Sequence, residues 1–431
     1  MISAVAPVDF TPLLKQPAVQ QTYERMENVA LRSSEGNEVI KAGWASVNIT
    51  PETPINMAGY GPRGPYTSVL DSLFARTIVF DNGIEEVVMI TIDLILFPGI
   101  IKDAIQDSLS NYGFSANEIF LNATHTHNGF GNWETSIGGS LIFGDFDQKN
   151  TNFFIRRILE GVQNARKNKS SVKIGFEKID AHELVANRLA GEKGTKDPYL
   201  RVISIKNEKG LKAVIASFSG HPVNLDADVW EISRDYPGVL VDDLEKESSI
   251  DFAMFCAGMV GSHSIDIDLP KGHERIRKIG QALSSKIKTR LDSMEYLEYS
   301  KLGGLDVTID MPQSQLRITP ELRIRDWLFS ALLKPLRANI KLLEIGDVLL
   351  IGMPCDYSGE LSINNHLDQF ASDHGKELFI TSFNGNYVGY ITEDGHYSTC
   401  DHDEVKTLNW VGPYKGEYFT SLIKLLIEAA S

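Results

Sequence analysis

The chain is poor in the features that mark several large classes of protein. It has only three cysteines in 431 residues, far apart at Cys256, Cys355 and Cys400. An odd number of widely spaced cysteines excludes a disulfide framework, and the lack of a CxxC pair excludes the usual cysteine zinc sites. No apolar run is long enough to span a bilayer. Residues 1–7 lack the basic and apolar regions of a secretory signal, so the sequence leaves the compartment open.

Basic residues are also fewer than acidic ones. The chain has 42 Lys and Arg against 57 Asp and Glu, a formal net charge of −15. Proteins that bind nucleic acid need a basic surface, and no sustained cluster of Lys and Arg supplies one here. The composition therefore excludes nucleic acid as the expected partner. Its 42% hydrophobic content is enough for one large domain or two ordinary ones.

The chain alternates strand-like and helix-like segments without a long linker, charge block or repeat after residue 40. The predicted strands are Thr77–Phe80, Glu86–Phe97, Ile119–Leu121, Val172–Phe176, Leu200–Lys206, Ala213–Phe218, Phe252–Phe255, Asp347–Ile351 and Leu378–Phe383. The predicted helices are Ile100–Tyr112, Phe153–Lys167, Pro237–Lys246, Glu274–Met294 and Gly416–Ala430. This alternation predicts an α/β fold with mixed β-sheets flanked by helices. We expect a single domain over 41–431, preceded by an arm or docking helix in 1–40 with an amphipathic stretch at Val19–Leu31.

The most informative motif is the segment 122–129, NATHTHNG, which follows the apolar run Ile119–Leu121. Along an extended backbone, side chains two residues apart share a face, so His125 and His127 are predicted to point into one cavity. Imidazole is the commonest protein ligand of transition metals and also transfers protons near neutral pH. A HxH pair at the end of a strand therefore suggests a metal site with an acid or base beside it.

Three further strand-like runs end in loops that present a metal-binding or titratable side chain, namely His221, Asp356 and Tyr390. In sheets flanked by helices, ligands collect at the carboxyl ends of strands. Together with His125 these residues form a nitrogen and oxygen donor set with a position left for water, which suits a catalytic Zn²⁺. Each residue alone has another interpretation: His221 as a hydrogen-bonded loop residue, Asp356 as a turn cap, and Tyr390 as a half-buried sheet residue.

The glycine-rich segment Gly138–Gly144 carries apolar residues and is predicted to be a loop. One interpretation is a surface loop that packs on its own domain. The other is an apolar lip over a substrate cleft.

These motifs, in this order, resemble the catalytic domain of the neutral ceramidase family. The matching pieces are Ala45–Pro51, Asn56–Tyr60, Leu73–Arg76, Ala123–Gly129, Asn187–Arg188, Gly220–Pro222, Ser233–Gly238 and Asn386–Tyr390. They run from about residue 42 to the end of the chain. The family's immunoglobulin-like C-terminal domain is not expected, because the chain stops soon after residues 410–414.

The resemblance implies a zinc site with four protein ligands. The first histidine of the THTH motif, His125, and the histidine of the HP motif, His221, match the family's nitrogen ligands. A carboxylate and a tyrosine complete the set and map to Asp356 and Tyr390. The family typically has Glu where this chain has Asp356, so Glu360, four residues on, is the alternative carboxylate ligand.

The resemblance also implies residues that act on the substrate. His127 and Arg188 match positions that face the scissile amide, and Ser264 matches a serine proposed to take part in catalysis. The positions that it assigns to substrate binding are Gly59, Ser262, Tyr387 and Tyr397. The segment 258–265 departs from the family pattern, because Ser262 replaces an acidic residue there. We do not expect Ser262 and its neighbour His263 to form a nucleophile–base pair, since adjacent side chains seldom face each other.

Membership of this family would make the chain a zinc-dependent amidase that hydrolyses the N-acyl bond of ceramide or a related N-acyl lipid. The attacking group would be a zinc-activated water or a serine. A transient contact with a membrane surface would bring the enzyme to its substrate, and the resemblance suggests a secreted or periplasmic protein. Two alternatives remain: a zinc hydrolase of the same fold that acts on another amide or ester, and a non-catalytic binding protein whose metal site has decayed.

Overall fold

The computed structural model describes residues 4–27, 29, 31, 33–36 and 38–431. In chain order the strands are β1 Val5–Pro7, β2 Ser34–Glu35, β3 Lys41–Asn48, β4 Met57–Ala58, β5 Ser68–Val69, β6 Phe74–Asp81, β7 Glu86–Ile92, β8 Ile119–Ala123, β9 Gly129–Phe130, β10 Ser170–Asp180, β11 Val185–Asn187, β12 Tyr199–Asn207, β13 Lys212–Phe218, β14 Glu231–Ile232, β15 Ile250–Ala257, β16 His263–Ile265, β17 Lys301–Ile309, β18 Leu322–Ile324, β19 Ala338–Ile345, β20 Val348–Gly352, β21 Asp356–Tyr357, β22 Glu377–Thr381 and β23 Tyr390–Ile391. The α-helices are α1 Pro17–Met26, α2 Gly99–Ser110, α3 Ile137–Phe143, α4 Gln148–Lys167, α5 Asp235–Leu244, α6 His273–Leu291, α7 Asp326–Leu333, α8 Gly359–Asn364, α9 Leu367–Asp373, α10 His396–Thr399, α11 Asp403–Lys406 and α12 Lys415–Ala429.

Two large sheets form the centre of the molecule. One has eight strands in the order β15-β13-β12-β10-β3-β6-β7-β8, and the other has five in the order β2-β17-β19-β20-β22. Strands β7 and β8, β13 and β15, and β20 and β22 pair in parallel, whereas the other neighbours in both sheets are antiparallel. The α/β fold with mixed sheets predicted from the sequence is confirmed.

Side-chain alternation explains why the two sheets stack. Along β7, Val88 and Ile90 pack in the cluster that contains the apolar faces of α2 and α4. Val87 and Met89 point the other way and pack with residues of β19, β20 and β22 in the second sheet. Because both faces of this strand are buried, its sequence is a nearly continuous apolar run.

Helices cover the outer face of each sheet. In the eight-stranded sheet, α2 and α4 cover one end and α5 and α6 cover the other, while α9 and α12 cover the five-stranded sheet. The N-terminal segment joins this framework, because β1 pairs with β18 and α1 contacts α12. Residues 28 and 30 of the predicted amphipathic stretch lie outside the described residues. The division into a 1–40 arm and a 41–431 domain stays a prediction.

Two predicted segments differ from the structure. The glycine-rich segment predicted as a loop is largely the helix α3, which begins after Ser136, whose hydroxyl accepts a hydrogen bond from the Gly139 N–H at 3.1 Å. It ends at Gly144, whose φ of 83° an L side chain rarely adopts. The strand predicted over Glu86–Phe97 ends at Ile92, because the following residues turn towards α2.

The eight-stranded sheet curls so that its two ends approach each other. Thr91 on β7 lies against Cys256 on β15, with 3.3 Å between Oγ1 and Sγ, although five strands separate β7 from β15 in the sheet order. This curl brings the loops after β8 and β13 to the same place. Within the described part of the chain, each helix is too short or too polar to cross a membrane.

Candidate metal centre

Three histidine side chains meet at one buried point between the ends of β8 and β13. The Nε2 atom of His125 lies 2.8 Å from Nε2 of His221 and 3.4 Å from Nε2 of His127. The Nε2 atoms of His127 and His221 are 3.0 Å apart. His221 is 96 positions from His125 and 94 from His127, so this convergence is a property of the fold.

The two histidines of the HxH motif reach this point through a kink. His125 has a φ of 64°, in the left-handed region, and its N–H donates to the Leu94 carbonyl at 3.0 Å. The expectation that extended backbone puts both rings on one face was therefore wrong, although the rings do meet. The Thr126 hydroxyl donates to the Ser233 carbonyl at 2.6 Å and ties this loop to the segment that precedes α5.

The loop that carries His221 is held by the same segment. The Tyr236 hydroxyl donates to the Gly220 carbonyl at 2.5 Å. Asp235 accepts hydrogen bonds from the backbone and side-chain nitrogens of Asn224, at 2.8 and 3.0 Å. The segment Ser233–Gly238 thus positions both histidine loops.

A hydrogen bond fixes which nitrogen of His125 faces the centre, since its Nδ1 donates to the Ile95 carbonyl at 2.5 Å. Nδ1 of His221 lies 3.3 Å from the Val260 carbonyl and 3.0 Å from Nη2 of Arg188. Burial lowers the pKa of His125 to about 3 and the pKa of His127 and His221 well below the usual range. The rings are therefore neutral at neutral pH, and Nε2 lone pairs converge on one point, as a cation site requires.

Asp356 adds an oxygen to this cluster. Its Oδ1 lies 3.3 Å from Nε2 of His125 and has no hydrogen-bond partner among the described residues, whereas its Oδ2 accepts from the Tyr387 hydroxyl at 2.7 Å. Burial raises the pKa of Asp356 to about 7. The alternative carboxylate, Glu360, is turned away and pairs with His396 at 2.9 Å.

Tyr390 is aligned with Asp356 by backbone pairing. The two residues are partners in the parallel ladder between β21 and β23. The Tyr390 ring is buried and parallel to the His221 ring, with centroids 6.5 Å apart. Its hydroxyl lies 3.4 Å from Nη2 of Arg188.

The spacing of the donor atoms fits a metal ion of zinc size. In a tetrahedral site with zinc–nitrogen bonds of about 2.0–2.1 Å, donor atoms lie roughly 3.3 Å apart. The nitrogen–nitrogen distances of 2.8, 3.0 and 3.4 Å and the nitrogen–oxygen distance of 3.3 Å scatter around that value. Three neutral imidazoles and an unsatisfied carboxylate oxygen are also a donor chemistry that zinc prefers.

Arg188 borders the centre and is held by an acidic residue. Its Nη1 pairs with Glu404 at 3.0 Å, and its Nη2 lies 3.0 Å from Nδ1 of His221. Its Nε is buried and has no hydrogen-bond partner among the described residues. The guanidinium therefore keeps a buried N–H without a partner in this part of the structure.

The segment that departs from the family pattern contains an unexpected hydrogen bond. The Ser262 hydroxyl and Nδ1 of His263 are 2.7 Å apart, so the expectation that these neighbours do not face each other was wrong. Nε2 of His263 accepts from the Asp197 N–H at 2.7 Å, which leaves the proton on Nδ1. His263 therefore donates to Ser262 and cannot take its proton. The Ser358 hydroxyl also donates to Ser262, which is fully buried.

Of three other sequence-predicted residues, Gly59 lies beside the centre, whereas Ser264 and Tyr397 have other contacts. Ser264 pairs with Ala186 in the ladder between β16 and β11 and, among the described residues, makes no hydrogen bond to the three histidines. Gly59 lies against the backbone of His127, where a Cβ atom would be 2.4 Å from its carbonyl oxygen. Tyr397 packs elsewhere, with the Arg317 guanidinium 3.9 Å from its ring centroid.

Sequence reasoning missed several groups that shape the centre. The carbonyls of Ile95 and Val260 orient two histidine rings, and backbone acceptors leave no signal in a sequence. Glu404 pairs with Arg188 from the short charged helix α11, where an acidic residue reads as solvated surface. The hydrogen bond from Tyr387 to Asp356 makes that tyrosine a neighbour of the carboxylate, in addition to its predicted place in substrate binding.

Comparison with known proteins gives a family and a fold. Residues 41–267 match the sequence model described as neutral/alkaline non-lysosomal ceramidase, N-terminal. The fold is similar to neutral ceramidase from Pseudomonas aeruginosa, with a TM-score of 0.76 and 18% identity over 91% of this chain and 75% of that one. It is also similar to a structure described as ceramidase complexed with C2, with a TM-score of 0.75 and 17% identity over 91% and 76% of the two chains. No curated protein matches the sequence.

Proposed function

The chain belongs to the neutral/alkaline non-lysosomal ceramidase family, whose sequence model matches more than half of it, and we propose that it is a zinc-dependent amidase. Membership of this family supports a hydrolase that acts on amide bonds. The proposed substrate is ceramide or a related N-acyl lipid, and the products are a fatty acid and a sphingoid or similar amine. The observation that carries the proposal is the convergence of three neutral imidazole nitrogens on a single buried point, with a carboxylate oxygen 3.3 Å from one of them.

We propose that His125, His221 and Asp356 hold the ion, with Tyr390 as a further ligand. When bound, zinc would polarise the substrate carbonyl and make a water nucleophilic near neutral pH. The bond from Nδ1 of His125 to a backbone carbonyl supports this role, because ligating histidines nearly always donate their second nitrogen, and the Val260 carbonyl offers His221 an acceptor of the same kind. Such a donation fixes both the tautomer and the ring orientation.

The second ring nitrogen of His127, Nδ1, lacks the hydrogen bond that Nδ1 of His125 makes, which supports a different role for this histidine. Its Nδ1 is buried and has no hydrogen-bond partner among the described residues; the Gly59 backbone lies nearby but outside hydrogen-bond geometry. A ring without that anchor suits a group that takes and returns a proton. We propose that Nε2 of His127 accepts the proton of the attacking water and delivers it to the departing amine, a role typically worth about 10²–10⁴-fold in rate.

Arg188 supplies a hydrogen-bond donor for the oxyanion that develops on the substrate carbonyl. Its Nη1 pairs with Glu404 and its Nη2 lies 3.4 Å from the Tyr390 hydroxyl, whereas the buried Nε–H has no hydrogen-bond partner among the described residues. A donor of this kind typically accounts for about 10²–10³-fold in rate. Ser264 stays the alternative nucleophile, although no hydrogen bond to a base supports it among the described residues.

The test combines metal analysis with turnover of a fluorescent long-chain ceramide by the purified chain. We expect about one zinc per chain, loss of turnover with a chelator, and recovery when zinc is added back. His125→Ala should lose both metal and activity, because it removes an anchored ligand. His127→Ala should keep the metal and lose about 10²–10⁴-fold in kcat.

Each outcome separates the proposed roles. Loss of zinc in His127→Ala would make that histidine a third nitrogen ligand, as the three mutual distances of 2.8–3.4 Å also allow. A zinc-loaded enzyme that leaves ceramide untouched but cleaves short N-acyl amino acids or esters would support the alternative hydrolase. A chain that binds no zinc and cleaves none of these substrates would support the binding protein.

A further inference from the structure

Helix α3 is apolar and lies at the surface. Of its seven residues only Gly139 is buried. Ile137, Leu141 and Ile142 are 63%, 70% and 36% exposed. At its end, Phe143 stacks on the buried Trp133, with ring centroids 4.5 Å apart, and this contact anchors the helix to the domain. The exposed side chains are therefore held in place without being covered.

Helix α7 has the same character. Its sequence, DWLFSALL, is almost wholly apolar after the first residue, yet only Phe329 is buried. Trp327 is 51% exposed, and Leu328 and Leu332 are half-buried. Single exposed apolar residues are normal on a soluble protein, but two neighbouring apolar helices of this kind call for an explanation.

The two helices form one continuous surface. A Cβ atom on Gly138 of α3 would lie 2.6 Å from Cδ2 of Leu333 on α7, so the backbone of one helix sits against the side chains of the other. Lys334, directly after α7, forms an ion pair with Glu134, three residues before α3 begins. The exposed side chains of this α3–α7 surface are Ile137, Leu141, Ile142 and Trp327.

Exposed basic residues flank α7 at both ends. Arg325 lies directly before the helix and Arg337 follows it; both are exposed, and neither forms an ion pair among the described residues. Basic residues that flank a short helix with Trp and Leu are typical of segments that bind anionic lipid surfaces.

The α3–α7 surface is also joined to the candidate metal centre. Helix α3 begins ten residues after His127 in the sequence. The intervening strand β9 pairs with β4, which leads into Gly59 beside that histidine. The segment that carries His127 thus leads directly into this surface.

We propose that the α3–α7 surface docks on membranes that contain anionic lipid. Trp327 and the exposed Ile and Leu side chains would enter the interface, while Arg325 and Arg337 face lipid headgroups. The purpose of docking rests on the proposed function, because an N-acyl lipid is found in a bilayer or another lipid aggregate. The binding itself does not depend on catalysis and can be measured without it.

The experiment is flotation of the full, zinc-loaded chain with vesicles of phosphatidylcholine alone and of equal parts phosphatidylcholine and phosphatidylglycerol. We expect binding to the anionic vesicles and release at high salt. The double variant Leu141→Gln/Trp327→Gln should weaken vesicle binding at least about 10-fold, because two large apolar side chains no longer enter the interface. Ile84→Gln is the matched control, since Ile84 is 59% exposed on the turn between β6 and β7.

Several results would overturn the proposal. These are absence of wild-type binding to either vesicle, equal loss in the Ile84 control, and a dimer in solution that the double variant dissociates. The double variant should also lose about 10-fold in turnover of ceramide in vesicles but keep turnover of a water-soluble short-chain N-acyl substrate. If the wild type binds vesicles but hydrolyses neither substrate, the proposed function fails and the docking surface stands.

Discussion

At the scale of single residues, the contact between Tyr387 and Asp356 is the one that most directly controls the carboxylate. The hydroxyl donates to Oδ2 at 2.7 Å, and Oδ1 is thereby turned towards Nε2 of His125. We expect Tyr387→Phe to lower zinc affinity about 10–100-fold, because a partner that orients a ligand is lost while the ligand itself remains. A titration of the variant against a competing chelator measures this change.

Tyr66→Phe is the control for that measurement. The Tyr66 hydroxyl donates to the Pro51 carbonyl at 2.8 Å in a buried position, so the substitution removes a hydrogen bond of the same type that does not involve the carboxylate. Zinc affinity should be unchanged in the control. Wild-type affinity in Tyr387→Phe would mean that Asp356 is oriented by other contacts or does not bind the ion.

Most residues of the centre could be predicted from the sequence, but their geometry could not. His125, His127, His221 and Asp356 follow strands, and turn chemistry after a strand is visible in a sequence. Their convergence depends on the curl of the eight-stranded sheet and on the left-handed backbone of His125. Neither of these follows from local pattern, because both result from packing between distant segments.

At the scale of elements, the start of helix α12 contains an unusual buried charge. Lys415 is 1% exposed, and its Nζ has no hydrogen-bond partner among the described residues. Burial lowers the pKa of Lys415 from 10.5 to about 7. A cation at a helix N-terminus is also disfavoured by the helix dipole. The folded protein therefore releases this proton more readily than the unfolded chain does.

We expect Lys415→Met to stabilise the fold at neutral pH and to change the pH dependence of stability. Between pH 7 and 10.5 the unfolded state binds more protons at this residue, so wild-type stability gains up to about 1.4 kcal/mol per pH unit from it. The advantage of the variant should shrink as pH rises through that window. Urea unfolding at several pH values measures it, with the half-exposed Lys424 of the same helix changed to Met as control. A constant difference across the window would contradict the prediction.

Among the elements, strands with buried charges were the hardest to predict. The sequence pattern did not predict strands β17 and β19. In β19, Lys341 and Glu344 interrupt the apolar pattern. Both residues are buried. Lys341 pairs with Asp306 at 2.8 Å, and Glu344 pairs with Lys376. Such ion pairs satisfy charges inside a sheet, but a pattern read along one strand cannot reveal a partner on another. The predicted helices were less affected, since their apolar faces repeat within one segment.

At the scale of the whole molecule, the candidate metal centre joins parts of the chain that lie in different sheets. His125 follows β8, an end strand of the eight-stranded sheet, and His221 follows β13, next to the other end; Asp356 lies in β21, shortly after β20 of the five-stranded sheet. An ion bound by all three would connect the two sheets. Because the unfolded chain does not hold these side chains together, metal binding would contribute to folding stability.

We therefore expect removal of zinc to lower the melting temperature. Free zinc at 100 times its Kd stabilises a folded state by about 2.7 kcal/mol, which corresponds to a shift of several degrees for a chain of this size. Differential scanning calorimetry with and without a chelator measures the shift. In His125→Ala the chelator should have no effect, because that variant does not retain the ion. An equal shift in that variant would mean that the chelator acts on another site, and no shift in the wild type would mean that the three side chains do not bind one ion in the folded protein.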